Sequence, residues 1–319
     1  MKGTPVRASR LLGLGTAVVL AAGLAACASP EPTTSAEPES PVASEELVDG
    51  QFPVTIQHVY GETTIDEKPV NVATVAWANH EVPLSFGIVP VGMSKATWGD
   101  DDDNGVLPWV EDKLEELGAD IPVLFDETDG IDYGAVADTN PDVILAAYSG
   151  LTEEEYTTLS KIAPVIAYPD VAWGTSFEDM IRLNGAALGY AASAEELIDD
   201  LHGQVAAALD ANEALKGKKV LFSYLDVNDL SQVGFYTQVS AEEAERFDDV
   251  DVFVTYGDNT LIPILQADAL LSKIPAISAG QVAILPNSTP LAASANPSPL
   301  SIPWGIGDYF ALLAASLVE

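Results

Sequence analysis

Two series of short apolar runs, many of them β-branched and each followed by a stretch with helical spacing, dominate the chain after residue 70. The first series contains VNVATV (70–75), GIVPVGMS (87–94), IPVLF (121–125), PDVILAAY (141–148) and APVIAYP (163–169). Helices are expected between them at 81–86, 109–117, 131–138 and 152–160. Runs without polar alternation belong to strands buried on both faces, and intervening helices supply the cover, so the pattern predicts parallel sheets. FPVTI (52–56) alternates instead and pairs with GETTIDEKP (61–69) as a hairpin. The second series comprises KKVLFSYL (218–225), VDVFVTYG (250–257) and QVAIL (281–285), with helices at 241–247, 261–272 and from about 306. Helices at 176–188 and 194–215 separate the two series. The longer one has apolar spacing through Leu197, Leu201, Val205, Ala208 and Leu209, and Ser193 is its expected N-cap. The chain therefore reads as an N-terminal α/β lobe (51–190), a bridging helix (191–216) and a C-terminal α/β lobe (217–319).

The first 50 residues say where such a body works. Lys2, Arg7 and Arg10 precede the almost wholly apolar stretch Leu11–Leu24, the build of an export signal over residues 1–26. That stretch is short for a membrane span. Leu24-Ala25-Ala26-Cys27 resembles the bacterial lipobox, and Cys27 is the only cysteine in the chain. A lone cysteine in an exported protein forms no internal disulfide, and acylation accounts for it. Each buried acyl methylene contributes about 0.8 kcal/mol, and stable anchoring takes more than one chain. Residues 27–50, rich in Pro, Ser, Thr and Glu, are expected to be a tether that buries too little apolar surface to fold. The expected location is the extracytoplasmic face of the cell membrane.

With the signal removed, 10 basic residues face 49 acidic ones, a formal charge of −39. Nucleic-acid binding needs a basic footprint and is excluded as an expectation. His58, His80 and His202 lie far apart with no cysteine partners, so no protein-built zinc or transition-metal site is expected, and no metal-ligating residue is assigned. Neither G-x-S-x-G, G-x-x-x-x-G-K-[ST] nor H-E-x-x-H occurs, and no catalytic residue is assigned.

Several stretches together resemble the iron–siderophore binding lipoproteins of bacterial ABC importers. They are the lipobox, VTIQHVYGETTIDEKPVNVAT (54–74), GIVPVGMS, NPDVILAAYSGLTEEEYTTLSKIAPVIAYP (140–169), DVFVTYGD (251–258) and PLSIPWG (299–305). The resemblance implies two α/β lobes joined by a rigid helix with the ligand in the cleft between them. It also implies a monomeric carrier and not an enzyme, with iron held by the siderophore, no cofactor of the protein's own, and an ABC permease as partner. Ligands of α/β proteins sit beyond the C-terminal ends of strands. The candidates there are Trp77, Lys95, Trp98, Tyr148, Ser149 and Trp173 on one side, and Tyr224, Tyr256 and Trp304 on the other; Arg182, on a following helix, is a further cation. Aromatic rings offer wide apolar faces at low entropic cost. So few cations favour a neutral or cationic hydroxamate complex over a triply charged catecholate.

Two features depart from the family pattern. Phe235-Tyr236-Thr237 runs straight into Gln238-Val239-Ser240, where relatives have several dozen more residues, so the C-terminal lobe is expected to be shortened. Family members present one glutamate per lobe to permease arginines. Glu242 matches the C-terminal position, but Gly134 stands at the N-terminal one, with Asp132 nearby. Haem or cobalamin binding on the same fold, or a surface interaction lipoprotein that has lost transport, are the alternative readings.

Overall fold

The structure, a computed structural model, describes residues 47–223 and 241–317. It begins with an antiparallel hairpin, β1 (Val54–His58) and β2 (Gly61–Ile65), in which Ile56, His58, Thr63 and Ile65 turn inward. A five-stranded parallel sheet follows: β3 (Val72–Thr74), β4 (Gly92–Ser94), β5 (Val123–Phe125), β6 (Val143–Leu145) and β7 (Val165–Ile166), in the order β5-β4-β3-β6-β7. Chain order reverses beside β3, so a crevice opens at the strand ends there. Helices α1 (Glu81–Ser85), α2 (Pro108–Leu117), α3 (Tyr133–Asp138), α4 (Glu153–Leu159) and α5 (Phe177–Ala187) connect and cover these strands.

Alternation within each strand divides the core into two layers. Val72, Val143, Leu145 and Ile166 pack on one face with Ile181, Ile198 and Leu201. Ala73, Ile144 and Val165 face the other way, with Phe125, Val136 and Leu159. Burying a side chain of this size contributes about 1.5–3 kcal/mol.

The long helix is α6 (Ala191–Ala211), which packs against α5 and ends in a 3-10 turn at Glu213–Leu215. Ser193 is not its N-cap. It lies in the first turn, where the Asp49 carboxylate accepts the N–H groups of Ala192 (2.8 Å) and Ser193 (3.2 Å). Capping from a distant residue leaves no local sequence signature, which is why the expectation misplaced it. Asp49 and Gly50, whose N–H bonds Gly189 O at 2.8 Å, thus already belong to the folded body.

The C-terminal lobe is built on β8 (Val220–Phe222), β9 (Val252–Gly257) and β10 (Val282–Pro286), all parallel in the order β10-β9-β8. Helices α7 (Leu261–Ala267), α8 (Pro275–Ser278), α9 (Pro290–Ser294) and α10 (Ser301–Ala315) accompany it, and α10 returns to pack on α6. The segment 241–247 is a kinked 3-10 helix. Among the described residues no helix is long and apolar enough to cross a membrane.

Candidate functional site

The site begins at a turn after β3. Ala76 and Ala78 both have left-handed backbones (φ 61° and 62°), a conformation that costs a non-glycine residue about 1–3 kcal/mol and persists only where its surroundings hold it. Asn79, fully buried, does much of the holding. Its Nδ2 donates to Val75 O (2.9 Å), Trp77 O (3.2 Å) and Tyr148 O (2.8 Å), and its Oδ1 accepts from Tyr148 N–H (3.1 Å) and Asn184 Nδ2 (3.0 Å). The Glu127 carboxylate, just beyond β5, accepts the Ala76 N–H at 3.0 Å. One amide side chain thereby fixes Trp77 at the end of β3 against Tyr148 at the end of β6.

From Trp77 a series of rings crosses between the lobes. Its indole lies 6.5 Å from that of Trp98, which meets Tyr256 edge-on at 5.3 Å, and Tyr256 meets Phe222 at 5.2 Å. Burial pushes the Tyr256 hydroxyl up to about 12, with the Tyr148 hydroxyl as a second contributor. Tyr148 packs edge-on against Trp173 at 5.5 Å and accepts a hydrogen bond from Asn296 Nδ2 of the C-terminal lobe at 3.2 Å. Trp173 has φ 59°, and its indole lies over Gly150, where a Cβ would come within 2.2 Å of Nε1. Only glycine permits that approach.

The polar mouth beside Trp98 is a cavity of about 400 Å³ that includes Lys95, Asp100, Asp103, Asp126 and Ser288 in its lining. Lys95 pairs with Asp126 at 3.3 Å. A space of about 20 Å³ that shares Lys95 with that cavity touches Trp77, Met93 and His80. His80 is buried, its Nδ1 has no hydrogen-bond partner among the described residues, and burial pushes its pKa down to about 4, so it is neutral. Burial likewise pushes Glu127 up to about 7, against the opposing Ala76 N–H and Ser94 hydroxyl, and Glu155 adds to the rise.

The structure thus brings together Trp77, Lys95, Trp98, Tyr148, Trp173 and Tyr256. Three other candidates are placed differently, and one lies outside the described residues. Ser149 follows β6 as expected, but its side chain is buried without a hydrogen-bond partner among the described residues. Arg182 sits on the α5–α6 surface, where Glu195 grips its guanidinium at 2.7 and 3.0 Å and Asp179 adds a contact at 3.2 Å; an ion pair of two helices, not a free cation. Trp304 packs on Trp109 of α2 at 5.2 Å, outside the ring series. Tyr224 lies outside the described residues, as do Cys27 and the 235–240 junction. Sequence reasoning missed Asn79, Glu127, Phe222 and Asn296. A polar residue two positions after the strand-end Trp77 was the available signal for Asn79; the others become neighbours only through the tertiary fold.

A second buried carboxylate ties the lobes nearby. Glu81 of α1 accepts Trp109 Nε1 at 2.8 Å and Leu300 N–H at 3.0 Å, and also the Ser298 hydroxyl. Burial raises its pKa while these donors oppose the rise.

Residues 72–231 match the family model described as periplasmic binding protein. Among solved structures, the chain is similar to PiaA of Streptococcus pneumoniae TIGR4 in complex with ferrichrome, with 42% identity over 83% of this chain and 98% of that one and a TM-score of 0.76. It is also similar to the same organism's PiaA described as an iron uptake ABC transporter substrate-binding protein (41% identity, 83% and 99% covered, TM-score 0.75). A periplasmic solute binding protein from Mycobacterium smegmatis shares 25% identity over 83% of this chain and 99% of that one, with a TM-score of 0.66.

Proposed function

This chain belongs to the periplasmic binding protein family, among the siderophore-binding substrate-binding proteins of ABC transporters, and on that premise we propose that it captures a ferric hydroxamate siderophore and delivers it to an ABC importer. Its family is one of solute carriers and not of enzymes, and the reading makes this chain a carrier too. The iron is cargo, wrapped by the siderophore, and the protein recognises the outside of the complex. PiaA, at 42% identity, is known with ferrichrome, which supports the hydroxamate class.

The observation that carries the ligand class is the charge of the cleft. Trp77, Trp98, Tyr148, Trp173 and Tyr256 give it apolar faces, while Lys95 in its mouth is matched by Asp126 and joined by Asp100 and Asp103. An anionic catecholate complex would meet net negative charge there, whereas a neutral hydroxamate loses little by desolvation and gains ring contact. Lipid attachment through Cys27, a tether from there to the folded body at Asp49, and docking through Glu242 complete the reading; the protein then works as a monomer at the membrane surface.

Calorimetric titration of the mature protein with a ferric hydroxamate, a ferric catecholate, haem and cobalamin tests it. Saturable one-to-one binding of the hydroxamate alone is expected. Preference for haem, cobalamin or the catecholate refutes the ligand class, and no binding to any of them points to a surface lipoprotein that has lost transport.

A further inference from the structure

Four consecutive aspartates, Asp100 to Asp103, follow Trp98 and Gly99. An acidic run by itself is a solvated turn and implies no ligand. What distinguishes this one is its register with residues that are not part of the run. Asp100, Asp102, Asn104, Gly105 and Glu111 occupy positions 1, 3, 5, 6 and 12 of D-x-D-x-N-G-x5-E. That is the full spacing of the twelve-residue calcium loop, in which side-chain oxygens at 1, 3 and 5, the carbonyl at 7 and a glutamate at 12 surround the ion, and glycine at 6 makes the sharp turn.

The fold brings Glu111 back to the run, where it accepts from Asn104 Nδ2. Glu111 comes from a separate element, the first turn of α2. Gly105 has φ 86°, where a Cβ would press to 2.8 Å on Lys95 Cγ. Of the carboxylates at positions 1 and 3, Asp100 and Asp102 have oxygens within 4.8 Å of each other. Among the described residues, no Lys or Arg forms an ion pair with Asp100, Asp102 or Glu111; the nearby Lys95 is engaged by Asp126.

We propose that residues 100–111 bind one calcium ion through the side chains of Asp100, Asp102, Asn104 and Glu111 and the carbonyl oxygen of Val106. The hard, oxygen-only donor set suits calcium, and its flexible arrangement disfavours magnesium, which demands near-ideal octahedral geometry. The site lies beside the cleft. The Gly99 N–H faces Ser288 Oγ of the C-terminal lobe at 3.5 Å, and Trp98 packs on Tyr256. The ion therefore braces the segment that carries Trp98 across the two lobes.

The test uses the purified mature protein and terbium, a calcium mimic whose luminescence is sensitised by the neighbouring Trp98 and Trp109. One saturable terbium site is expected, displaced by calcium with a dissociation constant of about 10⁻³ M or tighter, the range of extracellular loops of this kind, and displaced at least about tenfold less well by magnesium. Asp102→Ala and Glu111→Gln should each weaken calcium binding by about tenfold or more, since each loses a carboxylate ligand. The double substitution Asp101→Asn with Asp103→Asn removes two charges from positions 2 and 4 and should leave affinity within about twofold, since neither side chain is a ligand. Melting curves in chelator establish that every variant is folded. Failure of calcium at ~10 mM to displace terbium, equal displacement by magnesium, or an equal loss in the 101/103 double variant overturns the proposal, the last because it reduces the loop to a diffuse acidic patch.

Discussion

The side chain of Asn79 and the backbone of Tyr148 exchange hydrogen bonds in both directions: Asn79 Nδ2 donates to Tyr148 O at 2.8 Å, and Tyr148 N–H donates to Asn79 Oδ1 at 3.1 Å. This reciprocal pair joins the ends of β3 and β6, and the same amide restrains Trp77 between two left-handed alanines. Replacing it leaves several buried polar groups unpaired. Asn79→Ala should lower unfolding stability by about 2–4 kcal/mol and weaken siderophore binding more than any single ring substitution outside the series. Urea denaturation and ligand titration of the variant check both; an unaltered midpoint would show that Asn79 is dispensable to the turn.

Glu127 makes stability depend on pH. Burial lifts its pKa from 4.5 to about 7, so the stability associated with its protonated form is complete below pH 4.5 and is lost as the pH rises through 7. The effect is on the order of 3 kcal/mol. Glu127→Gln keeps an acceptor for the Ala76 N–H and cannot ionise. Its melting temperature relative to the parent should therefore rise by several degrees between pH 4.5 and pH 8. A constant difference across that range would contradict the assignment.

Gly134 lies exposed in the first turn of α3, and a Cβ there meets only Asp132 Oδ1, at 3.3 Å. Asp132 itself is occupied in capping α3 through Ala135 N–H at 3.0 Å, so it is poorly placed to stand in for a docking glutamate. Gly134→Glu should fit and should strengthen permease binding, chiefly at low salt, because rim charges are screened beyond about 10 Å at 0.1 M. Glu242→Ala should reduce uptake with ligand affinity unchanged. Uptake assays and permease pull-downs on the two variants and their combination decide it; normal uptake by Glu242→Ala would remove the docking role.

Cys27→Ser should release the protein from membranes or leave its signal uncleaved. Mass spectrometry of the membrane fraction reads this directly, and an unmodified Cys27 in the mature, membrane-bound protein would contradict acylation.

Much of this arrangement was legible in the residues. Unalternating runs such as VIL at 143–145 belong to a buried parallel sheet, and aromatics immediately after strands mark the strand-end crevice. What was not legible depends on distant partners. Asp49 caps α6 from well over a hundred residues away, and only the fold shows which carboxylate, Glu195 of the next helix, pairs with Arg182. Trp98 and Trp304 were both candidates for the cleft, yet one joins the rings across the lobes and the other, on α10, covers Trp109. The calcium-loop spacing at 100–111 was legible in full, but four adjacent aspartates in an acidic chain present themselves first as solvated surface.

The central claim is that a neutral ferric hydroxamate lies against the Trp77–Trp98–Tyr256 ring series. Anomalous diffraction at the iron edge, from crystals of the mature protein grown with ferrichrome, tests it most directly. The account predicts a single iron peak in the cleft bounded by Trp77, Trp98, Tyr148 and Tyr256, and loss of that peak in Trp98→Ala crystals. An iron peak elsewhere on the protein, or a peak in the cleft that persists undiminished without the Trp98 ring, would contradict it.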